Sequence, residues 1–312
     1  MFENQRILIT GGTGSFGSSF LPVLLENKVE EVRIFSRDEE KQLELKRLYP
    51  DPRIHFFLGD VRDYNRVLEV CKGVSIVYHV AAQKVIGSCE ENPTEALQTN
   101  SIGTLNVKKA CIKNNVNIAV FLSTDKAVKP INFYGMTKAV AERLWLHKRI
   151  QSSTKFVVVR YGNIIASRGS VVPFFKKLIA EKKSLPITHQ KMTRFLLTLG
   201  QAHKLVIKAT FGGKDGEIVV PNIPACEIVT LAKAMAGEKY PLNIVGIRQG
   251  EKIHECLIQE YEMLKTKKVN DYFVIQKTAT GVNGLDFKEY TSDRVDILSK
   301  REIQELLAEA GL

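Results

Sequence analysis

The chain has 312 residues, 44% of them hydrophobic, which is enough for one large domain or two of ordinary size around a sizeable core. Its five cysteines (Cys71, Cys89, Cys111, Cys226 and Cys256) contain no C-x-x-C pair, so they point to reduced thiols rather than to a zinc site or a disulfide framework. The formal charge is +11, yet the lysine pairs (Lys108 and Lys109, Lys176 and Lys177, Lys182 and Lys183) are scattered without interleaved aromatics; no nucleic-acid partner is expected, and the field suits small anions such as nucleotide phosphates, or an acidic membrane surface.

The opening "MFENQRILITGG" holds no apolar run of signal-peptide or membrane-span length, so a soluble cytoplasmic protein without membrane insertion is expected. Six β-branched runs read as strands: "RILIT", "EVRIFS", "RIHFFLG", "VSIVYHV", "NIAVFLS" and "FVVVRYG". Helices are expected between them over 15–28, 38–48, 63–72, 93–114 and 134–151. Continuously apolar strands separated by helices imply a parallel sheet covered on both faces, a Rossmann-type doubly wound α/β fold. After "RYGN" the alternation gives way to shorter, Pro- and Gly-punctuated elements. We therefore place a first domain over 1–165 and a smaller substrate-binding lobe over 166–312, with some segments free to return to the first. The stretch 262–290 is too mixed to assign, and the chain closes on an amphipathic helix with Ser299 as N-cap.

"ILITGGTGSFGSSF" sets Gly11, Gly14 and Gly17 directly after a strand and at a helix start. The first glycine permits a tight turn, the second lets backbone approach a pyrophosphate, and the third lets the helix pack closely; dinucleotide binding is expected. At the end of the second strand, "IFSRDEEKQ" has Ser36 where an acid would bind a ribose hydroxyl, then Arg37 and, one turn on, Lys41. That arrangement favours NADP over NAD. Asp60 and Val61 are expected to flank the adenine, and Ala81 and Ala82 to line the cofactor channel.

"FLSTDKAVKPINFYGMTK" ends the fifth strand on Ser123, Thr124, Asp125 and Lys126 and continues to Tyr134 and Lys138. Tyr and Lys four apart share one helix face, where an ammonium lowers the phenol pKa and lets it accept a hydroxyl proton during hydride transfer. On these residues the chain resembles the extended short-chain dehydrogenase/reductase superfamily. Through "TGGTGSFG", "SRDE", "GDVRD", "STDKA", "PINFYGMTK", "VVRYGN", "SRGSVVPFF", "MTRF", "GEIVVPNIP" and "GIRQGEKIHE" it is similar to the soluble, inverting UDP-N-acetylglucosamine 4,6-dehydratases.

The resemblance implies a C4 oxidation, loss of water across C5 and C6, and hydride return to C6, with tightly bound NADP recycled each turnover. Asp125 is the implied acid, with a raised pKa, Lys126 the implied base, with a lowered one, and Thr124 an aid at the C4 hydroxyl or the leaving group. Thr13, Ser15, Phe16, Asn100 and Ser123 join the implied cofactor contacts. Lys84, Asn163, Arg168, Val171, Thr188, Arg194, Arg248 and Glu251 are the implied substrate contacts, Arg248 at the diphosphate and Glu251 at the ribose. No metal is implied, and a homo-oligomer, at least a dimer, is.

The chain departs from the family at Val85 and Gly87, where a histidine and a proline are usual, and at His189 and Leu196, in place of aspartate and tryptophan. These positions are expected to line or border the sugar site, and they leave open both the hexosamine and the C5 configuration. A UDP-sugar epimerase, a C5-retaining dehydratase and a non-catalytic NADP-binding module are the alternatives.

Overall fold

The computed structural model describes residues 1–147, 152–165, 167–278 and 288–312. The first half runs β1 (Arg6–Thr10), α1 (Ser15–Glu26), β2 (Glu31–Ser36), α2 (Glu39–Leu48), β3 (Ile54–Leu58), α3 (Tyr64–Val70), β4 (Ile76–His79), α4 (Ile86–Glu91), α5 (Pro93–Leu97), α6 (Gly103–Lys113), β5 (Ile118–Thr124), α7 (Phe133–Leu146) and β6 (Lys155–Tyr161). The second half adds β7 (Asn163–Ile164), α8 (Val171–Ala180), β8 (Leu185–Ile187), β9 (Thr193–Leu197), α9 (Leu199–Gly212), β10 (Ile218–Pro221), β11 (Ala225–Glu227) and α10 (Ile228–Ala236). It ends with β12 (Leu242–Ile244), β13 (Cys256–Ile258), α11 (Glu260–Met263), β14 (Thr266–Val269), β15 (Tyr272–Ile275), β16 (Tyr290–Thr291) and α12 (Lys300–Glu309).

Nine strands form one sheet in the order β14-β15-β10-β6-β5-β4-β1-β2-β3. Reading from β3 to β6, the order is that of the dinucleotide-binding doubly wound fold, with its reversal between β1 and β4, where such folds place their ligands. The β1–β2, β2–β3, β1–β4 and β4–β5 pairs are all parallel. Each expected strand of the first half is present, and burial is most complete at the centre of the sheet: all four residues of β4 and all but the first of β5 are covered, whereas edge strand β3 buries only Ile54. Side-chain caps set several of the helix starts, those of α2, α3 and α12 among them. Asp38 accepts the Lys41 amide at 3.0 Å, Asp63 accepts the Arg66 amide at 3.1 Å, and Ser299 forms a capping box with Glu302, as its position at the head of α12 predicts.

The helix expected over 93–114 is instead interrupted. A π-type turn, Gln98–Ile102, separates α5 from α6. Its buried polar residues bond outward: Asn100 Nδ2 donates to the Gln83 carbonyl at 2.9 Å and to Thr137 Oγ1 at 3.0 Å, while Ser101 Oγ donates to the Thr137 carbonyl at 2.9 Å. Those bonds hold the widened turn, a feature that hydrophobic periodicity does not reveal. The last residues of the helix expected over 134–151 lie outside the described residues from 148 onward.

The chain falls into two compact units. The first holds Met1–Ser123, Thr137–Val159 and Val206–Val219; the second holds Thr124–Met136, Arg160–Leu205 and Val220–Leu312. The chain thus first leaves unit 1 after Ser123, returns at Thr137, leaves again after Val159 and returns once more for Val206–Val219. In the first unit Trp145 is fully buried, stacks on His79 at 5.6 Å, meets Phe156 edge-on at 5.3 Å, and donates its indole N–H to the Val157 carbonyl at 3.1 Å. Trp145→Ala is expected to cost about 3–5 kcal/mol, by cavity formation and a lost hydrogen-bond donor, measured as a drop in urea midpoint at unchanged m-value.

The second unit packs α8, α10 and α12 around an apolar cluster that includes Phe175, Met192, Leu231 and Ile303. Leu196 belongs to that cluster and is 3% exposed. Of the stretch 262–290 that composition leaves unassigned, residues 279–287 lie outside the described residues; its first residue, Glu262, is held by Arg160, whose guanidinium forks onto it at 2.8 and 3.0 Å and donates to the Leu257 carbonyl at 2.9 Å. All five cysteines are unpaired and buried. Among the described residues, no helix is long and apolar enough to cross a membrane.

Candidate active site

In the first unit, β1 runs into the glycine loop. Gly11 has φ +67°, and a Cβ there would fall 2.7 Å from Ala81 Cα, just beyond β4. At Gly17 a Cβ would fall 2.5 Å from the Gly12 carbonyl oxygen, so only glycine lets α1 start against the loop. Gly14 is the N-cap of α1, and the first turn of α1 holds no acidic residue. A helix start with glycine clearance and no competing carboxylate fits a pyrophosphate. Gly12 also matters, because its Cβ would lie 3.0 Å from Ile34 Cγ2 and from the Ile9 carbonyl. The G-x-x-G spacing does not single it out. Thr13 is buried and Ser15 half-buried, whereas the Phe16 ring packs on Phe20 at 5.2 Å and belongs to the core.

At the end of β2 the buried Ser36 hydroxyl accepts Gln42 Nε2 at 3.0 Å. Arg37 is exposed and pairs with Asp60 at 3.4 Å, and Lys41 pairs with Asp38. Burial pushes the Asp60 carboxyl up, but Arg62 at 2.7 Å, with Arg37 beside it, brings it below the usual range. Both cations expected to receive a 2′-phosphate therefore already face carboxylates. Val61 is buried, with Cγ2 2.6 Å from where a Gly103 Cβ would sit. Ala81 and Ala82 are half-buried, and Asn100 Oδ1 accepts the Gln83 amide at 2.8 Å. Ser123 Oγ donates to Glu142 Oε1 at 2.5 Å, a buried partner that the strand-end motif does not reveal.

Lys138 is buried in the first unit. Its ammonium donates to the Leu122 carbonyl at 2.8 Å and lies 3.9 Å from the centre of the Phe121 ring. Burial pulls it down to about 7, with Glu142 opposing. Tyr134 and Lys138 occupy successive turns of α7, the helix along which the chain passes back from the second unit to the first.

In the second unit, Asp125 opens a short 3₁₀ turn and is 0% exposed. Thr124 Oγ1 donates to Asp125 Oδ1 at 2.9 Å and accepts the Lys126 amide at 3.3 Å. Lys126 Nζ lies 3.1 Å from Asp125 Oδ1 and 3.4 Å from Glu255 Oε1. Asp125 Oδ2 and Glu255 Oε2 are buried without a hydrogen-bond partner. Burial raises the Asp125 carboxyl, and Glu255 adds to this against the opposing pull of Lys126. Burial also acts to lower Lys126, but Asp125 and Glu255 outweigh it and hold the ammonium above its ordinary value. The expectation of a lowered Lys126 pKa is thus corrected for the ligand-free protein, because two carboxylates clasp the amine.

Tyr134 is 9% exposed in the first turn of α7. A Cβ at Gly135 would collide with the Lys126 carbonyl oxygen, so glycine after the tyrosine lets α7 start against the Asp125–Lys126 turn. Asn132 fixes that start, accepting the Gly135 amide and donating to the Gly250 carbonyl, both at 2.7 Å. Tyr161, inside "VVRYGN" but outside the implied site residues, is pushed well up by burial, with Tyr134 nearby adding to the effect.

Arg194 is buried and donates to the carbonyls of Thr193 at 2.7 Å, Ile253 at 3.0 Å and Lys252 at 2.8 Å. It also pairs with Glu251 at 3.6 Å and Glu255 at 3.8 Å, so it clamps the 251–255 segment. Arg248 is exposed, and its amide donates to Glu251 Oε2 at 3.4 Å. Asn163 Oδ1 is buried without a partner, Thr188 Oγ1 bonds Met192 Sδ at 3.2 Å, and Val171 begins α8. Lys84 and Arg168 are exposed, as are Val85 and Gly87, and His189 Nδ1 accepts the Lys191 amide at 3.1 Å. Among the described residues, no His/Cys/Asp/Glu cluster could hold a metal ion.

Known proteins share this architecture. A UDP-glucose 4-epimerase of Rickettsia canadensis (strain McKiel) is 41% identical, with 98% of this chain and 96% of that protein covered. The X-ray structure of Pen from Bacillus thuringiensis is 36% identical and superposes with a TM-score of 0.94 over 100% of this chain and 99% of that one. DesIV, a dTDP-glucose 4,6-dehydratase from Streptomyces venezuelae with NAD and TYD bound, is 20% identical at a TM-score of 0.72 over 80% and 86%, and shares the fold. The polysaccharide biosynthesis protein family matches residues 7–277, and the chain belongs to that family.

Proposed function

We propose that the protein is a nucleotide-sugar 4,6-dehydratase that converts UDP-GlcNAc to a UDP-linked 2-acetamido-2,6-dideoxy-4-keto-hexose, of either C5 configuration. The observation that carries this reading is a wholly buried carboxyl, Asp125, pushed up by its surroundings, with one oxygen unpartnered, next to a lysine and on the turn before Tyr134. A pure 4-epimerisation moves one hydride out and back and has no task for such an acid; loss of water does.

NADP, when bound, supplies the hydride acceptor for C4 and the hydride donor for C6. Tyr134 takes the proton of the C4 hydroxyl as that carbon is oxidised. The resulting ketone acidifies C5–H, and Lys126, after releasing its ammonium proton to solvent on substrate binding, removes the C5 proton. Asp125 protonates the departing C6 hydroxyl, which leaves as water, and C5 is reprotonated as C6 is reduced. Arg248 and Glu251 serve the diphosphate and ribose. Asn163, Arg168, Val171, Thr188 and Lys84 surround the sugar, and Arg194 acts on substrate through the segment it clamps. The protein works in the cytoplasm as a homo-oligomer.

The name carried by the 41%-identical Rickettsia relative supports a second reading, UDP-glucose 4-epimerase. Incubation with UDP-GlcNAc or UDP-glucose in deuterated water separates the two. A product one water lighter with deuterium at C5 supports dehydration, and the ring-proton couplings of the product formed in ordinary water report whether C5 is inverted. A product of unchanged mass inverted at C4, without C5 deuterium, overturns the reading in favour of the epimerase.

Arg37 carries the NADP assignment. Arg37→Ala is expected to weaken NADP about 10–100-fold, the worth of one charge-assisted contact, and to leave NAD unchanged, as read by calorimetric titration of each.

A further inference from the structure

Glu255 lies outside the set of residues that sequence motifs mark for catalysis, yet its position makes it part of the proton machinery. It is 2% exposed, and its Oε1 meets Lys126 at 3.4 Å and Arg194 at 3.8 Å, while its Oε2, which makes no hydrogen bond, lies 3.9 Å from Lys252 Nζ. We propose that Glu255 is a positioning residue, the standing counter-ion of Lys126, which frees Asp125 to carry a proton and fixes when Lys126 gives up its own.

Charge balance is the first ground. Asp125, Glu251 and Glu255 face Lys126, Arg194 and Lys252, three carboxylates against three cations. The two carboxylates that touch Lys126 are driven apart. Burial raises both, but at Glu255 the cations Lys126, Arg194 and Lys252 together outweigh it and the carboxyl ends below its ordinary value, whereas Asp125 ends above. Opposed shifts in adjacent carboxyls assign one as the permanent anion and the other as the proton carrier. Lys252 reinforces the arrangement: its ammonium is anchored on the Val128 carbonyl at 2.5 Å, while burial lowers it. Two further titratable groups among the described residues flank the cluster: Cys256, which acts on Lys252, and His254, whose Nδ1 lies 2.8 Å from Thr193 Oγ1. Neither places a third carboxylate on Lys126.

The proposal rests on Asp125 and Lys126 being the acid and base, and its test is built to fail separately from theirs. The Lys126 Nζ titration is followed by ¹³Cε NMR on lysine-labelled ligand-free protein, with the resonance assigned by its loss in Lys126→Arg. Glu255→Gln keeps the shape and removes the charge. It is expected to lower the Lys126 midpoint by about one unit or more, the effect of losing one close opposite charge. Glu255→Asp keeps the charge and withdraws it, so a smaller shift in the same direction is expected, and it serves if the glutamine variant does not fold. An unmoved midpoint in either folded variant overturns the proposal. In the enzyme assay the acid limb of the dehydration pH profile should move to lower pH in Glu255→Gln, because Asp125 becomes the sole anion on Lys126. A uniform loss at every pH without such movement marks a merely structural role and overturns the proposal too. Should the wild-type protein remove no water from any UDP-sugar, the acid and base roles fall while the titration of Lys126 still decides the counter-ion assignment.

Discussion

Asp125→Asn is expected to lower formation of dehydrated product by about 10²–10⁴-fold, the usual worth of a positioned general acid. The same variant should still exchange C5–H. Tyr134 and Lys126 remain, so the sugar can be oxidised at C4, exchange its C5 proton with solvent and return unaltered in mass but for the isotope. Substrate recovered from deuterated water therefore gains deuterium at C5 without losing water, as measured by mass spectrometry. Full dehydration by the variant, or recovered substrate free of deuterium, would contradict the separate roles given to Asp125 and Lys126. Asparagine fits the site, since Oδ1 can still accept from Thr124 and Lys126 and only the unpartnered Oδ2 becomes an amide. The loss therefore reports chemistry and not collapse.

The residues that carry this expectation are legible in the amino-acid sequence alone. Strand-end motifs stand out because a parallel sheet needs continuous apolar runs, and the residues just after such a run lie at the sheet's carboxyl edge. Gly11, Gly17, Asp125 and Tyr134 all stand in that relation to β1, β5 or the turn after β5. Partners supplied from distant segments are not legible in this way. Asn132 and Gly250 bond across 118 residues, and Glu255, though it ends the "GIRQGEKIHE" motif, shows its role only once β9 and the 251–255 segment bring it to Lys126. The direction of the Lys126 pKa escapes sequence reasoning for the same reason: burial alone argues for lowering, and Asp125 together with the distant Glu255 reverses the sign. Hydrophobic periodicity likewise passes over the turn at Asn100, which side-chain bonds hold and a 3.6-residue repeat cannot register.

Lys138 has the other large expected effect, and its pH dependence has a definite sign. The folded protein holds its ammonium at about 7 against an ordinary value of 10.5. Below about pH 7 both folded and unfolded chains keep the proton, and the cost of burying the charge is fully present. Between there and the ordinary value the folded chain has lost a proton that the unfolded chain still binds. Stability contributed at this site therefore rises with pH across that window and levels off above it. Lys138→Met removes the titrating group while keeping a long apolar stem against Phe121. Urea midpoints compared across the window should rise with pH in the wild type and lose that component in the variant, and at neutral pH the variant should be no less stable. Turnover should nonetheless fall about 10²–10⁴-fold, because the partner of Tyr134 on the next helical turn is gone. Equal pH slopes in the two proteins would show that Lys138 stays charged throughout, in which case its ammonium is stabilised by more than the Leu122 carbonyl and the Phe121 face. The combination of a stabilising substitution with a large loss of turnover separates a lysine retained for chemistry from one retained for folding: a buried ammonium between a carbonyl and a ring costs stability, and what it returns is a proton position one turn from the phenol.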